Sequence, residues 1–116
     1  MCNDRERRDR RGRRHGHSRF GEPGVLVLAS LADGPKHGYA LMKDIEGFAE
    51  VRLGPGTLYA ALSRLEARGL IEALPEQDRR RPYQLTAAGA QAARAYLKHA
   101  RQVSTAGLAR LEGYAW

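Results

Sequence analysis

The sequence is short of cysteine, of histidine and of long apolar runs, and each shortage removes a class of protein. Its one cysteine, Cys2, cannot close an intrachain disulfide. No apolar segment approaches the ~20 residues that a membrane-spanning helix needs. The arginine-rich N-terminus lacks a following apolar stretch, so it is not a secretory signal. A soluble, cytoplasmic protein is the expectation. His15 and His17 lack the further ligands that zinc requires, and His37 and His99 each stand alone. With no Ser/His/Asp or Cys/His arrangement either, the expectation is no metal, no cofactor and no enzyme.

What is abundant is arginine, unevenly spread. Residues 1–20 hold eight arginines against three acidic residues, a net +5, while residues 21–116 hold 12 basic and 10 acidic residues, a net +2. The first segment has no hydrophobic periodicity and is expected to be a disordered arm. It either lies along phosphates or a minor groove, or is a solvated tail. The rest, 42% hydrophobic over the whole chain, has enough apolar content for one domain with a core of ordinary size.

Taken in order, GEPG (21–24) reads as a breaker followed by the apolar run Val25–Leu31. That run fits a strand by periodicity alone but, with Glu22 and Pro23 in a first turn, reads as a short buried helix ending near Asp33-Gly34-Pro35. A second helix, Tyr39–Glu50, carries the stripe Leu41, Ile45 and Phe48, with Asp44, Glu46 and Glu50 making its exposed side acidic. Tyr39 at its start is either a core-edge tyrosine or a hydroxyl donor to a phosphate.

The stretch Leu53–Gly69 is the distinctive one. Leu58, Leu62 and Leu65 form an apolar face, while Gly56, Ala60, Ser63 and Ala67 leave the opposite face nearly bare. Thr57 and Arg64 border the bare face on one flank and Tyr59 on the other. Such a helix is either plain scaffold or one cleared to enter a DNA major groove. Pro55 suits the first helical position, and Gly56 leaves an uncovered N-terminus that favours an anion. Gly69 is the expected C′ residue.

Ile71–Leu74 and Pro82–Leu85 alternate with period 2 and predict a two-stranded hairpin, its loop Pro75–Arg81 carrying Arg79, Arg80 and Arg81. Those arginines are either solvated or placed to meet phosphates. Thr86 then caps a long helix to about Leu111, whose stripe Ala93, Leu97, Ala100, Ser104, Leu108 and Leu111 is too long to bury within one small domain. It predicts pairing with another chain.

The fold class expected is mainly α with a small two-stranded hairpin: a winged helix-turn-helix over residues 21–85, followed by a C-terminal dimerisation helix over 86–116. The blocks LASLADGPKHGYALMKDIE, GPGTLYAALSRLEARGLIE and RRPYQLTAAG, in that order, resemble the PadR family of bacterial transcriptional regulators. The resemblance spans about Val25–Gly89 and implies a homodimer that binds double-stranded DNA at a pseudo-palindromic operator, usually as a repressor. It implies phosphate contacts from Tyr39, Thr57 and Tyr59, and places Arg64 near the DNA. It departs from the family at Gly54, where serine is common. The chain would be the short form, with one dimerisation helix. It also implies that a small aromatic or cationic effector is possible, with Tyr96, Tyr114 and Trp116 either lining its pocket or packing a dimer seam. The competing function is a winged-helix module that pairs with protein, for which the acidic second helix leaves room.

Overall fold

The computed structural model describes residues 21–114. The arginine-rich arm with Cys2, His15 and His17, and Trp116 at the other end, lie outside the described residues.

Four helices and three short strands follow in the order α1 (Gly21–Leu31), β1 (Lys36–His37), α2 (Gly38–Ala49), α3 (Pro55–Ala67), β2 (Ile71–Ala73), β3 (Pro82–Leu85) and α4 (Ala87–Glu112). The first helix begins at Gly21, with Glu22 in its first turn as expected. Pro23 falls in its first turn, where a missing N–H leaves nothing unsatisfied, so GEPG is incorporated instead of breaking it.

The core sits between α1, α2 and α3 and is closed by the start of β2. Val27, Leu28 and Leu31 meet Leu41 and Ile45 from α2, and Leu58, Ala61, Leu62 and Leu65 from α3. Every residue of the α3 stripe is buried, so that helix's orientation is fixed by its oily face. The α2 stripe runs one turn too far: Phe48 is exposed. In that last turn it is Ala49, beside Phe48, that packs against the core.

The acidic face expected on α2 is also partly spoken for. The buried Ser30 hydroxyl donates to Asp44 Oδ2 at 2.6 Å, and Lys36 Nζ donates to the Ser30 carbonyl at 2.6 Å. Glu46 pairs with Arg52 at 3.2 Å. Asp44 therefore helps to tie α1, β1 and α2 together, and the α2 surface is less acidic than its sequence suggests.

The sheet has three strands, not two, in the order β1-β3-β2. Lys36 pairs with Tyr83 and His37 with Pro82, both antiparallel. A two-residue strand of Lys and His carries no alternation to detect. It forms because β3 offers an unpaired edge and the chain must pass it on the way into α2. The hairpin itself has the expected strands, with Ile71 opposite Leu85 and Ala73 opposite Tyr83.

Thr86 caps α4 as expected, its hydroxyl oxygen accepting from the Gly89 N–H at 3.0 Å and its hydroxyl donating to the Gly69 carbonyl at 2.7 Å. One threonine thus joins the end of the α3 turn to the start of α4. Beyond about its third turn the long helix leaves the domain, after Tyr96 has packed against the core. Its only buried residues are Gly89 and Ala93.

Candidate nucleic-acid interface

The face of α3 away from the core is as bare as its sequence implied: Gly56, Ala60, Ser63 and Ala67 are all exposed, as are Thr57, Tyr59 and Arg64 along its flanks. Gly54 is the N-cap residue and supplies no side-chain hydrogen bond, and Pro55 occupies the first turn. The first N–H groups of the helix have no side chain over them, and its dipole places partial positive charge there.

Tyr59 does not simply point outward. A Cβ at Gly38 would collide with its hydroxyl, so the tip of the ring lies on the glycine backbone where α2 begins. The ring is still half-exposed. The contact fixes the first turn of α3 against the start of α2. Tyr39, one residue beyond Gly38, is also half-exposed, with the Lys43 ammonium 6.0 Å from its ring centre. Tyr39 is thus an exposed residue, not a core-edge one. Lys43 was not singled out from the sequence, although its i+4 spacing from Tyr39 is a signal for such a contact.

The loop between β2 and β3 is more ordered than a seven-residue connection suggests. Gln77 and Arg80 exchange backbone hydrogen bonds of 2.7 and 2.8 Å. Between them Asp78 and Arg79 both have positive φ, 51° and 64°. Two positive-φ residues at a hairpin apex are the signature of a type I′ turn, which usually takes glycine at one position or both. The strands of the wing are thereby carried out to its tip.

This geometry separates the three arginines. Arg81 donates to the Leu74 carbonyl at 3.0 Å, and Arg80 turns toward His37 at 3.3 Å. Arg79, at the apex, has no side-chain partner among the described residues, and its guanidinium is free to meet something else. Arginine in the left-handed region is less comfortable than glycine. Arg79→Gly is therefore expected to leave the melting temperature unchanged or raise it slightly, while lowering affinity for duplex DNA about fivefold through loss of one phosphate contact. Paired thermal melts and DNA titrations of this variant check both halves.

Tyr83 on β3 links the wing to α3. Burial raises its pKa first, the Glu66 carboxylate and Tyr59 raise it further, and Arg81 lowers it. The phenol therefore stays protonated and can donate a hydrogen bond.

Of the aromatics considered for an effector, the two among the described residues lie far apart within one chain. Tyr96 is partly buried against the core, whereas Tyr114 is exposed beyond the far end of α4, about 27 Å away at 1.5 Å per residue. Neither the bare face nor the wing gathers ligating groups. Among the described residues no cluster of three or more His, Cys, Asp or Glu could hold a metal, and no helix is long and apolar enough to cross a membrane.

Three helices, a three-stranded wing sheet and a long trailing helix define a winged helix-turn-helix protein. The profile of the PadR-like transcriptional regulator family matches residues 27–95, more than half of the chain. The chain belongs to the PadR-like family, whose members are transcriptional regulators, not enzymes, that bind DNA and typically dimerise.

Solved structures agree in fold. A PadR family transcription regulator from hypervirulent Clostridium difficile superposes with a TM-score of 0.71 at 25% identity, covering 78% of this chain and 99% of that one. A PadR-like transcriptional regulator from Bacillus cereus gives 0.71 at 21% identity, covering 78% and 91%. A transcriptional regulator from Thermoplasma acidophilum gives 0.65 at 23% identity, covering 89% and 99%. In sequence, the chain is 57% identical over 65 residues to an uncharacterized 37.1 kDa protein in transposon TN4556 of Streptomyces fradiae. That match covers 56% of this chain and 19% of the relative, so the chain spans about a fifth of the relative's length.

Proposed function

We propose that the protein is a sequence-specific DNA-binding repressor that grips a pseudo-palindromic operator as a homodimer. Residues 21–85 form the DNA-binding domain, and the helix in 86–116 pairs two copies. The observation that carries this reading is the exposed small-residue face of α3, bordered by Thr57, Tyr59 and Arg64 and set beside the Arg79-tipped wing. A bare face of that kind lets a helix backbone approach the floor of a major groove, with the flanking side chains reaching base edges and phosphates.

Tyr39 and Thr57 contact phosphates, Tyr59 does so while resting on Gly38, and Ser63 and Arg64 read the groove. Because few of these groups can reach base edges, much of the affinity comes from phosphates and falls steeply with salt. The exposed stripe of α4 supports the dimer. Of that stripe Leu97, Leu108 and Leu111 are all exposed in one chain, and a 26-residue helix with so little of its own core needs a partner.

The test is a mobility shift on the DNA upstream of the protein's own coding sequence. Arg64→Ala should weaken binding by about 1–3 kcal/mol, a factor of roughly 5 to 150, while leaving the dimer intact. Full retention of affinity in Arg64→Ala and in Tyr59→Ala would remove α3 as the recognition helix. Binding to a protein with no affinity for any duplex would favour the interaction-module alternative.

A further inference from the structure

His37 stands where two elements meet, and its two ring nitrogens face different donors. Nδ1 accepts from the Ala40 N–H at 3.4 Å, which makes His37 the N-cap residue of α2. Nε2 lies 3.3 Å from a guanidinium nitrogen of Arg80, which closes the turn at the tip of the wing. A neutral imidazole has one acceptor nitrogen and one N–H. If Nδ1 accepts from the backbone, Nε2 carries the proton, and it then faces a guanidinium that can only donate. The backbone N–H of a helix's first turn has no other partner to turn to, whereas an arginine at the surface can be solvated. The cap therefore holds Nδ1, and Nε2–H and Arg80 are left as two converging donors.

We propose that His37 and Arg80 form a two-donor clamp for a phosphate-type oxyanion. An oxyanion between them accepts from both and removes the conflict, and a guanidinium with a neighbouring N–H suits that shape. Arg80 is exposed and His37 half-buried, and the pair opens onto a cleft of about 470 Å³ between β1 and the wing, also lined by Lys36, Gln77 and Asp78. Asp78 makes no ion pair with Arg80 among the described residues, and Lys36 is engaged with the Ser30 carbonyl. The clamp sits two residues before Tyr39 and beside the Tyr59–Gly38 contact, on the edge of the domain that the proposed function turns toward DNA. The backbone phosphate of a duplex is the occupant this placement favours. That choice rests on the DNA-binding reading; the clamp's chemistry is shared with free phosphate.

The experiment uses the full chain and reads the His37 ring nitrogens by long-range ¹H–¹⁵N NMR, free, with inorganic phosphate, and with a duplex from upstream of the coding sequence. It is joined to duplex titrations of His37→Asn, Arg80→Gln and the double variant. Asparagine keeps a capping oxygen for the Ala40 N–H but loses the distal donor, so the fold is retained and a thermal melt verifies it. The expected result is a protonated Nε2 in the free protein, whose signal shifts on adding duplex. Each single variant should bind duplex about five- to tenfold more weakly, and the double variant little more weakly than either. The salt slope should fall by about one in Arg80→Gln. An unprotonated Nε2 in the free protein, or wild-type duplex affinity in His37→Asn, overturns the clamp while leaving the DNA-binding reading untouched. If the wild type binds no duplex but inorganic phosphate still moves the Nε2 signal, the clamp stands with a free anion as its source, and the DNA-binding reading is what fails.

Discussion

Replacing Leu97 and Leu108 together with glutamate is expected to yield a folded monomer whose affinity for a two-half-site duplex has dropped about 100-fold or more. Both leucines are exposed, at 40% and 65%; Leu97 borders a cleft with Ala32 and Leu85 without joining the core, and Leu108 lies farther out on α4. The core lies elsewhere, so the winged helix should keep its melting behaviour. Two carboxylates in the middle of a helix seam would bury charge without a partner, which an α-helical dimer of this size cannot absorb. The lost affinity comes from the second half-site, whose binding is effectively intramolecular only while two copies are joined. Light scattering and DNA titration of the same preparation check the pair of outcomes. A variant that remains dimeric would move the dimer contact away from this stripe.

Gly89→Ala is expected to be the most damaging small substitution in the chain, costing about 3 kcal/mol and lowering the melting temperature by more than ~10 °C. A Cβ at Gly89 would collide with the carbonyl oxygen of Leu70. That neighbour is backbone, so no rotamer change can make room. The same carbonyl accepts from the Thr86 N–H at 3.1 Å, and the Gly89 N–H donates to the Thr86 hydroxyl oxygen at 3.0 Å. Displacing Leu70 therefore disturbs the α4 cap and the join between α3 and β2 at once. Ordinary alanine propensity argues the other way, since alanine in a helix usually outdoes glycine by about 1 kcal/mol. The melt decides between them, and a Gly89→Ala protein as stable as the wild type would show that the Leu70 contact relaxes freely.

How much of this was legible in the sequence follows from the range over which each signal acts. The α3 helix was plain because its start, stop and oily face are all local: Pro55, Gly69, and Leu58, Leu62 and Leu65. The α4 cap at Thr86 was equally local. Failures occurred where a residue's fate depends on a segment distant in sequence. Phe48 continues the α2 stripe by period, yet the packing of the other helices takes Ala49 and leaves Phe48 exposed. Lys36 and His37 carry no strand signal and pair because β3, some 45 residues on, presents an edge.

The site shows the same division. Thr57, Ser63 and Arg64 were placed by helical spacing alone, and the fold leaves them where that spacing put them. The three wing arginines looked equivalent as a run, yet the turn at Asp78-Arg79 gives each a different task. His37 looked isolated because its partners, the Ala40 N–H and Arg80, are respectively backbone and 43 residues away. Gly38 gave no sign of its role until Tyr59 was seen resting on it. A small residue directly before an exposed helix-start tyrosine is the one cue that was available.

The proposed repressor sets two recognition helices, held by α4, against one face of DNA. Hydroxyl-radical footprinting of the wild-type protein, on a site selected from random duplexes, tests that most directly. The result predicted is two protected patches on the same face of the duplex, about 10 base pairs and ~34–36 Å apart centre to centre, related by the pseudo-dyad. A single patch, protection without spacing, or no selected site at all would contradict it.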